Sequence, residues 1–166
     1  AEPDQAQALC DAVHGELPDA VLVPANYNAP GQIVLSGSAG ACVRAAEVAG
    51  DMGLRATPLK VAGAFHSALM EPAVAPMRAA LAGAEMRLPQ VQVWSNVTAQ
   101  PHGSDLELLR ERLVSQIVSP VKWSQTAQAL AEGLTIDFHE LAPGSVLRGL
   151  MRRTARDAKV ISHDQP

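Results

Sequence analysis

Aromatic residues make up only 3% of this 166-residue chain, so a core has to be assembled from Ala, Val, Leu and Met. Cysteine is as scarce. Cys10 and Cys42 are the only two, too few for a disulfide scaffold. Each sits among alanines in helix-like sequence and reads as a buried free thiol, which suits a reducing cytoplasm. No apolar run approaches the ~18 residues of a membrane span, and no secretory leader opens the sequence. Basic residues do not dominate: 13 Lys+Arg stand against 17 Asp+Glu, a net charge of -4. That argues against a general nucleic-acid binder, which needs a basic face for the phosphates. The nucleotide-binding patterns Gly-x-Gly-x-x-Gly and Gly-x-x-x-x-Gly-Lys do not occur, nor does the Gly-x-Ser-x-Gly nucleophile elbow, since Ser36, Ser38, Ser67, Ser104 and Ser145 all lack the flanking glycines. No two of the five histidines have the i,i+4 spacing of a zinc helix, and no cysteine lies beside one. No metal is expected.

What is present is a chain rich enough in apolar residues, 48%, to exclude a disordered linker. Its length fits one ordinary domain or two small lobes. A short helix is expected over Pro3–Val13, a strand over Ala20–Val23, a turn cluster at Asn26–Gly31 and a second strand over Gln32–Leu35. Ser36-Gly37-Ser38 precedes a helix from Ala39 to Met52 that Gly53 ends. A third strand follows at Ala56–Val61. This α-β-β-α-β order is a split βαβ pattern without its first strand. That orphan sheet position, and a sequence that opens inside a helix without Met, read as the mark of a fragment. From residue 63 the chain alternates: a helix over Ser67–Ala82 with the stripe Leu69, Ala73, Met77, Ala80 and Leu81, kinked at Pro76; a strand over Val91–Val97; a capping box at Ser104–Glu107 and a helix to Val118; a helix over Trp123–Glu132 stopped by Gly133; a strand over Leu134–Leu141; a helix over Ser145–Arg153; and a short strand at Lys159–Ser162. Such alternation argues for a parallel α/β sheet.

His66 is the most informative residue. It follows a strand and a glycine and stands at a helix start, where the positive end of the dipole favours an uncharged imidazole, the form a general base requires. A structural turn histidine explains the same spacing. Gln116 lies beside the apolar stripe Leu109, Leu113 and Ile117, where a glutamine must find amide partners; it either orients another group or marks a half-exposed boundary. Asp137-Phe138-His139-Glu140 splits into two strand faces and reads as a strand-end structural element. Arg148, Arg152 and Arg153 near a helix end are suited to the dipole there or to an acidic partner.

Four stretches then carry a resemblance: Asn26-Tyr27-Asn28-Ala29-Pro30-Gly31-Gln32-Ile33-Val34, Gly63-Ala64-Phe65-His66-Ser67-Ala68-Leu69-Met70, Gln116-Ile117-Val118-Ser119-Pro120-Val121-Lys122-Trp123 and Glu140-Leu141-Ala142-Pro143-Gly144-Ser145-Val146-Leu147. In order and spacing they resemble the malonyl-CoA:acyl-carrier-protein transacylases over nearly the whole chain; Ala142 departs from the family's usual glycine. The resemblance implies an α/β fold in two parts. Residues 1–61 would form a ferredoxin-like small subdomain lacking its first strand, and 62–166 the C-terminal portion of an α/β-hydrolase-like acyltransferase subdomain. It implies that His66 is the catalytic base and that the backbone carbonyl of Gln116 orients it. Phe65 matches the malonyl-selecting form of the motif, and Asn26 and Asn28 fall on the lobe that overhangs the acyl group.

The implied reaction moves a malonyl group from coenzyme A to the phosphopantetheine thiol of acyl carrier protein through an acyl-serine, with no cofactor. The family's serine elbow, its N-terminal oxyanion loop and its malonate-gripping arginine have no counterpart in these 166 residues. The expectation is therefore a base without a nucleophile, inactive alone. Either a separate polypeptide supplies the N-terminal segment or the sequence is an excerpt of a longer chain. The competing expectations are an acyltransferase fragment of a polyketide synthase or of a malonate decarboxylase subunit, and a carrier-protein-binding module without catalysis.

Overall fold

The computed structural model describes residues 1–132, 137–141 and 143–163. The first helix, α1 (Pro3–Glu16), starts with proline at a position that needs no N–H, and the Gln5 side chain reaches back to accept the Glu2 N–H at 2.8 Å. Its inner face buries Ala6, Leu9, Cys10 and Val13. Strands β1 (Leu22–Ala29) and β2 (Gln32–Gly37) form an antiparallel hairpin, and α2 (Ala39–Asp51) packs through Ala41, Ala45 and Ala49. Small side chains let the two helices approach the hairpin closely, and Leu9, Cys10, Val13, Leu22 and the three alanines form one apolar cluster. Gly53, with φ +68°, follows the end of α2 in the left-handed conformation a helix stop favours.

The expected turn at Asn26–Gly31 is instead mostly strand. β1 runs through Pro24 to Ala29, and only Pro30–Gly31 turns, with Gly31 at φ +74°. Register shifts at Ala25 and Asn28 absorb the proline and the asparagines as bulges. The other edge of β1 is bonded as well: Val121 N–H donates to the Ala25 carbonyl and Tyr27 N–H to the Val121 carbonyl, both at 2.8 Å. Non-local pairing has thus overridden local turn composition. Cys10 is buried and its thiol is pushed up to about 11, chiefly by burial. Cys42 is not the buried thiol expected; it lies on the outer face of α2.

The expected strand at Ala56–Val61 does not form. Residues 55–62 form no regular element and are exposed, and no described strand lies beside them to complete a ladder. The expected helix over Ser67–Ala82 divides into a 3-10 helix (Ala68–Ala73) and α3 (Val74–Gly83). Pro72 falls in the 3-10 turn and Pro76 in the first turn of α3, so neither breaks an α-helical bond. The intended core stripe is uncovered: Leu69 and Met77 are exposed and α3 buries nothing. Of the strand expected at Val91–Val97 only β3 (Trp94–Ser95) exists, paired antiparallel with β4 (Gln100–Pro101), while Val91 is 75% exposed. Backbone groups that find no ladder partner stay in solvent.

Helix α4 (Leu106–Ser115) is capped by Asp105, whose carboxylate accepts the N–H groups of Glu107 and Leu108, rather than by a Ser104 box; its last turn ends at Gln116. After α5 (Trp123–Ala131), strand β5 (Asp137–Leu141), helix α6 (Val146–Thr154) and strand β6 (Lys159–His163) follow. β5 and β6 pair in parallel, in register from Asp137–Lys159 to Leu141–His163. The architecture is mixed α/β. Among the described residues, however, the sheet is three two-stranded pieces, and only the last is the parallel pairing that was expected. Gly133, the first three residues (134–136) of the strand expected over Leu134–Leu141, and Ala142 lie outside the described residues. The strand faces at 137–140 are as expected: Glu140 is buried and accepts from Leu147 N, Arg148 N and Ser162 Oγ, which makes it the anchor of α6. Both α5 and α6 pack on β1, and Arg153 on α6 donates to Gln32 Oε1 and to the Pro30 carbonyl, so the C-terminal elements close on the hairpin.

Candidate active site

The chain reaches His66 through an exposed segment without regular structure and a turn at Phe65–His66, and after Ser67 it enters the 3-10 helix. His66 itself has φ +62°, a left-handed conformation that costs a non-glycine residue about 1–2 kcal/mol. Such a conformation persists where the surroundings over-determine it, and two bonds to the end of α4 do so. His66 N–H donates to the Ile117 carbonyl at 3.1 Å, and its Nδ1 lies 2.9 Å from the Gln116 carbonyl oxygen.

That second contact assigns the tautomer. A carbonyl only accepts, so Nδ1 carries a proton, and in the neutral ring the lone pair falls to Nε2. The Gln116 side-chain Nε2 also approaches His66 Nδ1, at 3.4 Å. Two N–H groups cannot bond to each other, and the amide's proper acceptor is the Ser119 carbonyl at 3.3 Å, which braces the turn presenting the Gln116 carbonyl. The imidazole is thus oriented, held in one tautomer and free to take a proton at Nε2, the arrangement of a general base.

Ser67 is not its nucleophile. The residue is 1% exposed and its hydroxyl donates to the Ala64 carbonyl at 2.7 Å. Phe65, 49% exposed, stands on the other side of the histidine with its ring against Gly63. Asn26 and Asn28 lie on β1, whose edge holds Val121, five residues beyond Gln116. The structure brings these asparagines to the neighbouring strand, but neither side-chain amide hydrogen-bonds to His66 or Gln116. His66 and Gln116, fifty residues apart, are the pair in direct contact. Sequence reading missed Ser67 and Val121. A serine directly after the histidine, at a helix start, is a capping signal that points to the first; nothing local points to the second.

A one-acid-per-base arrangement is not what is seen here, because a peptide carbonyl takes the place a carboxylate holds in serine hydrolase triads. The chain belongs to the acyl transferase domain family, whose model matches residues 7–165. More particularly, it is similar to malonyl CoA-acyl carrier protein transacylases. The Bacillus subtilis enzyme of that name is 40% identical over 144 residues, 86% of this chain and 45% of the relative. The solved malonyl-CoA:acyl carrier protein transacylase of Xanthomonas oryzae is 35% identical and superposes with a TM-score of 0.89 over all of this chain and 52% of its own. A type II PKS acyl-carrier protein in complex with its malonyl-transacylase gives 30% identity and a TM-score of 0.90, over all of this chain and 53% of that one. The chain spans about half the length of the relatives and structures it matches.

Proposed function

We propose that these 166 residues are the histidine-bearing part of an enzyme that transfers malonyl from coenzyme A to acyl carrier protein. The observation that carries this reading is the His66 imidazole, held through Nδ1 by the Gln116 carbonyl, in a chain related to proteins of that name. The division into residues 1–61 as a small subdomain and 62–166 as part of the larger acyltransferase subdomain belongs to the same reading. It is supported by the α-β-β-α order of the first 51 residues and the βαβ unit at the C-terminus.

In the proposed reaction a serine supplied from outside these residues loses its proton to His66 Nε2 and attacks the malonyl thioester carbonyl. Collapse of the tetrahedral adduct expels the coenzyme A sulfur, which takes that proton from His66. The phosphopantetheine thiol of the carrier then gives its proton to Nε2, its sulfur attacks the malonyl ester, and the serine oxygen leaves and recovers the proton. His66 is the shuttle in both halves, and the Gln116 carbonyl stabilises its transient imidazolium. Phe65, beside the base and exposed, is assigned to selection of the acyl group, with Asn26 and Asn28 on the facing strand. The scheme needs no metal or organic cofactor. No described helix is long and apolar enough to cross a membrane, and a cytoplasmic location follows from the substrates proposed.

The test joins this chain to the N-terminal segment of the Bacillus subtilis relative and follows malonyl transfer to holo acyl carrier protein. His66→Ala is expected to lower kcat by about 10²–10⁴-fold, the range for a lost general acid–base. Unchanged transfer in that variant overturns the assignment.

A further inference from the structure

Between Ala49 and Ser95 the chain has one buried residue, and it is polar: Ser67. In a stretch with no packed core of its own, the single place shielded from solvent adjoins His66. The Ser67 hydroxyl makes two bonds there. It donates to the Ala64 carbonyl at 2.7 Å and accepts the Leu69 N–H at 3.3 Å. The first closes the turn that contains Phe65 and His66, and the second caps the 3-10 helix that follows. The histidine therefore sits inside a loop tied on both sides by one buried hydroxyl.

The left-handed backbone of His66 gives this tie its purpose. With φ at +62°, the amide of His66 meets the Ile117 carbonyl while its ring meets the Gln116 carbonyl. If φ relaxes to its ordinary negative range, the peptide plane turns and the amide and ring cannot both meet the same turn of α4. The cost of the conformation has to be met locally, and apolar packing does not meet it, because Phe65, Ala68 and Leu69 are all exposed. Buried hydrogen bonds without solvent competitors are what remains.

We infer that Ser67 is a positioning residue for the proposed base: its hydroxyl, bonded to Ala64 and Leu69, holds the His66 turn in the left-handed form that aims Nδ1 at the Gln116 carbonyl. This rests on the reading of His66 as the base. It adds that the tautomer of the histidine is maintained by a side chain that touches neither the imidazole nor the substrate.

The experiment is nitrogen NMR of the 166-residue chain, uniformly nitrogen-15-labelled, at about pH 9, well above the ordinary histidine pKa of about 6.5. It asks which ring nitrogen of His66 bears the proton. A neutral imidazole free in water favours the proton on Nε2, so a proton on Nδ1 reports the Gln116 bond. The wild-type chain is expected to show the Nδ1–H form. Ser67→Ala is expected to lose it in favour of Nε2–H, with the amide spectrum of the Leu9–Leu22–Ala45 cluster unchanged. Ser67→Thr, which keeps the hydroxyl, is expected to restore it.

Retention of Nδ1–H in Ser67→Ala overturns the inference and leaves the base assignment standing. Nε2–H already in the wild type overturns the oriented-base reading and this inference with it. If Ser67→Ala loses the cluster signals, Ser67→Cys, of nearly the same volume and a poor hydrogen-bond partner, is read in its place: loss of Nδ1–H supports the role and retention contradicts it.

Discussion

Residues 3–51 and residues 55–93 have similar apolar content but opposite fates. In the first stretch Leu9, Cys10, Val13, Leu22 and three alanines close into one buried cluster. In the second, Leu59, Val61, Leu69, Met77, Leu88, Val91 and Val93 are exposed, and the one buried side chain is Ser67. Apolar residues are plentiful in both; what differs is whether a second surface lies opposite. α1 and α2 have the β1–β2 hairpin to pack on. The segments 55–61 and 91–92 have no described strand to pair with. An amphipathic pattern states a capacity for burial, and the partner decides whether it is realised. His66, the proposed base, lies in the second stretch, so its geometry depends on hydrogen bonds rather than on apolar packing.

Three substitutions probe that contrast. Leu22→Ala empties part of the cluster at a residue 1% exposed and is expected to lower unfolding stability by about 2–5 kcal/mol, read by urea denaturation. A smaller effect is expected at Glu140. Burial raises its pKa, but the N–H groups of Leu147 and Arg148 and the Ser162 hydroxyl outweigh it, and its carboxyl titrates below the ordinary 4.5. A lowered folded-state value means that its stabilisation is complete above about pH 4.5 and disappears as pH falls through the lower value. Glu140→Gln should therefore flatten the stability profile in that acid range, and an unchanged slope there would remove Glu140 from its role as anchor of α6. Smallest is Val91→Ala. At 75% exposure it is expected to change stability by less than about 0.5 kcal/mol; a loss comparable to that at Leu22 would mean that this segment is covered after all.

Much of the fold is legible in the sequence where local signals and tertiary packing agree. The helices at 3–16 and 39–51 follow from spacing and from the Pro3 and Gly53 punctuation. The faces of β5 follow from alternation. Legibility fails where a distant element decides. Asn26–Ala29 has turn composition yet extends as strand because Val121 bonds its far edge. Ala56–Val61 has strand composition yet stays unpaired. The site divides in the same way. His66 at a helix start suggests a base, but its contact with Gln116 fifty residues on was visible only through resemblance to a family, because no local rule brings the two together. Cys42, expected inside with Cys10, is outside because the inner positions of α2 fall on Ala41 and Ala45.

The central claim is that these 166 residues carry an oriented base and its carbonyl partner without the nucleophile they serve. It is tested most directly by the intact mass of the purified chain, under denaturing conditions, before and after incubation with malonyl-CoA. The account predicts an unchanged mass. A stoichiometric malonyl adduct would contradict it, and the peptide bearing that adduct would identify the nucleophile within the chain.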